Sequence, residues 1–343
     1  MIDVPLLTAH LPGTGGRIKE QIDDFEVEEI PAYEPCGTGE HLYLWIEKRD
    51  MGAEFFARQI AQRLGIRSGD IGTAGMKDRQ AVTRQWVSVP AMAEANLSKL
   101  EGDGIQVLTI SRHTNKLRPG HLRGNRFRVL IREPVAAQNA QAIIEVIAQN
   151  GLPNFYGEQR FGHDGETSKL GFDLLHGRST GRVNPFLRKL ALSAAQSALF
   201  NDYLSWRMSD GLLRSVLPGE VLAKWPAGGM FVSTEATVDQ PRLEAREIVP
   251  AGPMFGGAKM FAAADVAAER ESAVLAAAEL TPASFHGFGS LMQGTRRHNF
   301  VYVDDLVCNI DPEGLRVTFT LPSGSYATVL LREVMKAKLE ATP

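Results

Sequence analysis

Cysteine is nearly absent. Cys36 and Cys308 are the only two in 343 residues, and they stand far apart in no CxxC pattern. That argues against a metal site built on them and fits two reduced thiols in a cytoplasmic protein. No run approaches the roughly 18 apolar residues of a membrane helix. The opening MIDVPLLTAHLPG has no basic segment ahead of an apolar stretch, so it does not read as a secretory signal. No dinucleotide GxGxxG or phosphate-binding GxxxxGK[ST] pattern occurs, and no repeat or low-complexity tract is visible. A basic excess is missing too: 37 Lys and Arg face 40 Asp and Glu, for a formal net charge of −3. Taken alone, that balance disfavours a nucleic-acid binder.

What is present is ordinary globular material, 44% hydrophobic and 22% charged. The length suggests about two domains. Charge is unevenly placed. From Arg112 to Arg132 the chain reads RHTNKLRPGHLRGNRFRVLIR, with seven Arg or Lys and no Asp or Glu. Such a stretch is the footprint expected for phosphate contact, or else a solvated charged face.

The first 150 residues alternate short strands and helices. EVEEI and LYLWIEK read as strands, the latter with Leu42, Leu44 and Ile46 at alternate positions. GAEFFARQIAQRLGI places Ala53, Phe56, Ala57, Ile60, Ala61 and Leu64 on one helical stripe, and Gly65 stops it. DIGTAGMKDRQAVTRQWVSVP reads as strand, polar loop, strand. IQVLTISR and RFRVLIR are further strands. In the second, Phe127, Val129 and Ile131 share one face while Arg126, Arg128 and Arg132 share the other. A helix follows from about 135 to 149. Later, 185–208 is a long helix and AAADVAAERESAVLAAAEL an alanine-rich one. VLPGEVLAKWPAGG and IVPAGPMFGGA read as connecting material. The end returns to strands (NFVYVDDLVCNI, LRVTFTL) and then a helix, YATVLLREVMKAKLEA. Residues 152–294 thus form a separate module, and the terminal strands complete the first sheet.

Three segments carry chemistry. Asp78, in GMKDRQAVTRQW, is a carboxylate flanked by Lys77 and Arg79. Such flanks keep it ionised, which suits a nucleophile and not a general acid. A solvated turn residue is the plain alternative. GNRF, Gly124 to Phe127, puts an aromatic ring in a cationic setting, the pairing that holds an unstacked base, and Phe127 reads equally as core. Asn125 can position a carboxylate or a uracil edge, or simply turn the chain. NFYGEQRFGHDG, 154–165, reads as a loop anchored by its aromatics, whose Arg160 meets a carboxylate or phosphate.

Together these segments resemble the TruD family of tRNA pseudouridine synthases. GMKDRQAVTRQW is similar to the family's G-x-K-D pattern, NFYGEQRFG to its N-x-F-G-x-Q-R-F-G pattern with Phe155 and Tyr156 in altered order, and RGNRF to its G-N-x-F element. LSAAQSALFN and LPSGSYATVLLREV match two further elements, and DDFEVEEI preceded by Lys19 resembles the N-terminal segment. The resemblance implies an α+β fold: a pseudouridine synthase catalytic domain with a mixed, largely antiparallel sheet, from 1–151 and 295–343. An inserted α/β domain spans 152–294, and a cleft between the two receives tRNA. It implies isomerisation of uridine to pseudouridine at position 13, in the D arm. Asp78 falls on the nucleophile, Lys19 on its ion-pair partner, Asn125 on the neighbouring asparagine and Phe127 on the base-stacking aromatic. Lys77, Arg123, Arg126, Arg160 and Phe161 are expected to contact RNA. No cofactor or metal is expected, the partner is tRNA, and a monomer suits a two-domain cleft. Two alternatives stay open: an RNA-binding protein of the same fold without catalysis, and a carboxylate-based hydrolase. The latter needs a second carboxyl that no motif supplies.

Overall fold

Alternating apolar residues build the larger of two main sheets. The computed structural model describes residues 4–179, 181–226, 228–257 and 259–337. The chain opens with β1 (Phe25–Pro31), β2 (His41–Arg49), α1 (Ala53–Leu64), β3 (Gly72–Thr73), β4 (Val82–Pro90), β5 (Ile105–His113), β6 (Leu122–Ile131) and α2 (Ala140–Asn150). It then leaves through β7 (Leu152–Pro153), α3 (Glu166–Leu175), α4 (Pro185–Ser209), β8 (Val221–Lys224), β9 (Met230–Val232), α5 (Ala236–Glu244), β10 (Ile248–Met254), α6 (Asp265–Ala277) and β11 (Thr295–His298). It returns through β12 (Phe300–Val301), β13 (Val307–Asp311), β14 (Gly314–Pro322) and α7 (Ala327–Met335).

The large sheet runs β13-β14-β6-β1-β4-β2-β5, with β3 also on β4. Every pairing is antiparallel except β1 with β4. Register aligns one row across its middle: Lys48, Thr83, Val27, Phe127 and Phe319. Facing residues share a side, so this row marks one face. Two helical layers cover that face. On one half, Phe56, Ile60 and Leu64 of α1 pack on Leu42, Leu44 and Ile46. On the other, α2 and α7 bring Ile143, Ile147, Leu330 and Val334 onto Val129, Ile131 and Val317. Each such side chain, fully buried, stabilises the fold by about 1.5–3 kcal/mol.

A second sheet, β11-β10-β8-β9, packs with α4. The departing and returning segments pair with each other, Leu152–Pro153 against Phe300–Val301. Arg207 of α4 and Glu220 form an ion pair with both side chains almost fully buried. Among the described residues, no helix is long and apolar enough to cross a membrane.

Four local expectations change. IVPAGPM is not connecting material but β10, buried at every position. Pro250 fits there because its carbonyl accepts from the Asn299 N–H, a role that needs no proline N–H. VLAK within VLPGEVLAKWPAGG is likewise strand, β8. NFVYVDDLVCNI is broken by a turn at Asp304–Asp305, where Asp305 takes the Thr320 N–H. The last helix ends at Met335, with Lys336 in the left-handed region at φ 55°; the rest of its expected length, 338–341, lies outside the described residues.

Candidate active site

Asp78 stands in the loop between β3 and β4, and three neighbouring groups set its position. β1 runs beside β4 only as far as Glu28. Beyond it, Glu29 bridges the gap. One carboxylate oxygen accepts from the Trp86 N–H at 3.3 Å and the other from Lys77 Nζ at 2.7 Å. Lys48, fully buried, donates from Nζ to the Asp78 carbonyl at 3.0 Å and to the Met51 carbonyl. The backbone on either side of Asp78 is therefore pinned while its side chain remains 42% exposed. Its one ion-pair partner among the described residues is Lys19, 3.3 Å away and 17% exposed, with Nζ also over the Phe25 ring at 4.3 Å. Lys19 adopts φ 60°, a backbone strain tolerated where the side chain has a specific aim. Burial pulls the Lys48 ammonium down to about 8, opposed by the charge of Asp78 and aided by that of Lys77.

Two buried side-chain oxygens of the large sheet, Asn125 Oδ1 on β6 and Thr83 Oγ1 on β4, have no hydrogen-bond partner among the described residues. Asn125 faces Glu29 on one side and Leu321 on the other. A buried acceptor left open in a native structure calls for an explanation, and a substrate donor is one.

The other sequence-derived residues scatter. Phe127 is only 6% exposed, stacked on Phe319 with centroids 5.1 Å apart and met edge-on by Phe25. It offers no open ring face, because its neighbours in the sheet register are themselves aromatic or apolar. Lys77 is not free for RNA; it is spent on Glu29 inside the protein. Phe161 is core, packed on Ala194 and Ala198 of α4. Arg126 points to the opposite sheet face from Asn125, toward Glu28 at 3.9 Å. Arg123 and Arg126 instead line a cavity of about 830 Å³, together with Trp225, His298, Tyr302 and Asp305. Arg160 reaches Ser193 and Ser197 of α4 and lies over Tyr156.

The acid-free stretch is also corrected. In space, Arg112 meets Glu94, Arg126 meets Glu28, Arg128 meets Glu26 and Arg132 meets Asp24. The outward glutamates of β1 fall in register with the outward arginines of β6. Four of the seven basic residues of that stretch thus meet an acid, two of them on β1, a strand remote in sequence. Sequence reasoning also passed over Glu29, Lys48 and Arg297. For Lys48 a signal existed: it occupies the next inward position after Leu42, Leu44 and Ile46, a charge on an apolar face.

The family model described as tRNA pseudouridine synthase D (TruD) matches residues 1–187 and 177–334. A tRNA pseudouridine synthase D of Anaeromyxobacter sp. (strain Fw109-5) is 44% identical, covering 99% of this chain and 98% of its own. One from Thermus thermophilus is 42% identical, covering 99% and 95%. The crystal structure of a putative tRNA pseudouridine synthase D from Methanosarcina mazei superposes with a TM-score of 0.78 at 22% identity, covering 97% of this chain and 96% of that one. The fold is therefore that of a pseudouridine synthase, a mixed sheet with a loop-borne aspartate above its centre. More narrowly, the chain belongs to the tRNA pseudouridine synthase D (TruD) family.

Proposed function

We propose that the chain isomerises uridine to pseudouridine in tRNA, at position 13 of the D arm, with Asp78 as the attacking group. The observation that carries this reading is the setting of Asp78: an accessible carboxylate with one lysine partner, on a backbone clamped by Lys48 and by the Lys77–Glu29 pair. The clamp orients it before substrate arrives, which spares the cost of ordering at the moment of reaction. Lys19, 3.3 Å away, fixes its direction.

The chemistry needs little more. The C1′–N1 bond breaks, the uracil turns, and C1′ joins C5. The C5 hydrogen leaves as a proton and N1 gains one, so no oxidation state changes. Asp78 attacks C1′ or removes the 2′ proton; both routes place its carboxylate at the sugar. Extruding the nucleotide from folded RNA costs a few kcal/mol. Asn125, in register with Glu29, serves to position the uracil edge. Phe127 and Phe319 act as a rigid floor under the site, with Phe127 reaching a base only by its edge. Residues 1–151 and 295–343 serve as the catalytic domain and 152–294 as the inserted one. The enzyme so read acts as a monomer in the cytoplasm.

The test is a position map of bulk tRNA prepared with and without the protein. Pseudouridine gained only at position 13 is the expected result. Gain confined to another arm overturns the position and keeps the chemistry; no gain anywhere overturns the reading.

A further inference from the structure

Outside the Asp78 loop, Arg160 and Arg297 stand out as a pair over one ring, neither with a carboxylate partner among the described residues. Both guanidinium groups lie over the same ring, Tyr156, at 5.6 and 4.0 Å from its centroid. Arg297 Nε donates to the Asn154 carbonyl, and Nη2 to Asn154 Oδ1 and the Gly324 carbonyl, with the Tyr156 hydroxyl beside the same guanidinium. Arg160 spends Nε and Nη2 on two serine hydroxyls. Elsewhere in the chain, buried arginines are neutralised: Arg207 by Glu220 and Arg296 by Glu271. Burial pulls Arg297 below the ordinary arginine value and the charge of Arg160 adds to this, with only the phenols of Tyr156 and Tyr326, and no carboxylate among the described residues, acting against it. Two half-buried cations held together without an acid are costly unless an anion joins them.

Two independent features converge on the same spot. The N-terminus of α7 carries no side-chain cap at Tyr326, and a helix N-terminus favours negative charge. The Tyr326 ring lies 5.7 Å from that of Tyr156, and its hydroxyl has no partner among the described residues. The place is adjacent to the proposed chemistry. Asn125 pairs on one edge with Glu29, which holds Lys77 next to Asp78. On its other edge it pairs with Leu321, from which the chain reaches Tyr326 in five residues. Asn125 thus sits in register between the strand that holds the Asp78 loop through Glu29 and the strand that leads into α7.

We propose that Arg160, Arg297, the Tyr326 hydroxyl and the N-terminus of α7 form an anion site that grips one backbone phosphate of the tRNA beside the extruded nucleotide. The inference rests on the tRNA reading above and adds a defined contact to it. Planar guanidinium groups suit phosphate oxygens, and the grip holds the strand while the sugar is presented to Asp78. The competing role is a brace: Arg297 ties the Asn154 segment to the turn before α7 whether or not RNA is bound.

The experiment measures binding of unmodified tRNA transcript across a series of KCl concentrations. Wild type is compared with Arg160→Gln, Arg297→Gln, Tyr326→Phe and, as an exposed control, Arg178→Gln. Each arginine variant of the site is expected to bind about 10-fold more weakly and to lower the salt slope by about one ion. Tyr326→Phe is expected to weaken binding several-fold with an unchanged melting temperature, and it reads the site even where a Gln variant fails to fold. Lysine at 160 or 297 should restore the slope. Slopes and affinities equal to wild type overturn the site and leave only the brace. Pseudouridine formation by the wild type is assayed alongside: its absence sinks the tRNA-isomerase reading, whereas turnover with unchanged slopes sinks only the phosphate site.

Discussion

In the proposed role, Asp78 depends on the residues that hold its loop, and each makes a separate prediction. The Lys77–Glu29 pair is almost wholly buried, so Glu29→Gln leaves an ammonium without its counter-charge. The expected cost is about 3–5 kcal/mol in urea unfolding, with turnover falling as the loop loosens. Lys48→Met removes the donor to the Asp78 carbonyl while keeping volume; turnover is expected to fall by up to about 10²-fold through misplacement. Lys48 also gives a pH signature. In the folded protein it titrates near 8, against an ordinary lysine value of 10.5. Below pH 8 both states hold the proton and the burial penalty is full. Between 8 and 10.5 the unfolded chain alone keeps it, so stability rises with pH. The wild type should therefore gain stability relative to Lys48→Met over that window, measured by denaturant midpoints; a flat difference contradicts the assignment. At this scale the sequence was only half legible. KDR marks a charged loop, but the burial of Lys77 depends on where β1 stops.

At the scale of elements, β6 decides what the site contains. Gly124 lies where a Cβ would meet the Leu321 carbonyl of β14 at 2.3 Å. Gly124→Ala is expected to push β14 away, costing about 1–3 kcal/mol and shifting Asn125, with the loss read in both denaturation and turnover. That contact explains the glycine of GNRF. The strand's alternation was already readable: Phe127, Val129 and Ile131 on one side, Arg126 and Arg128 on the other. Arg126 and Phe127 therefore lie on opposite faces of β6, a separation that the alternation alone already gives. The ion pairs of Arg126 and Arg128 with Glu28 and Glu26 were not readable, since they depend on which strand lies beside β6. β10 was hidden for another reason. Full burial on both faces removes alternation, and two prolines imitate a loop.

For the whole molecule, the α+β class, the mixed sheet and the family were legible because motifs recur in order from about residue 16 to 335. The arginine pair was not, because Arg160 and Arg297 are 137 positions apart and meet only when the returning chain pairs with the departing one. The central claim remains the carboxylate at position 78. It is tested most directly by tritium release from tRNA carrying 5-tritiated uridine, comparing wild type with Asp78→Asn. Release is expected from the wild type and to fall by about 10³-fold or more in the variant, with tRNA affinity and melting temperature nearly unchanged. Release by Asp78→Asn at the wild-type rate would contradict the account.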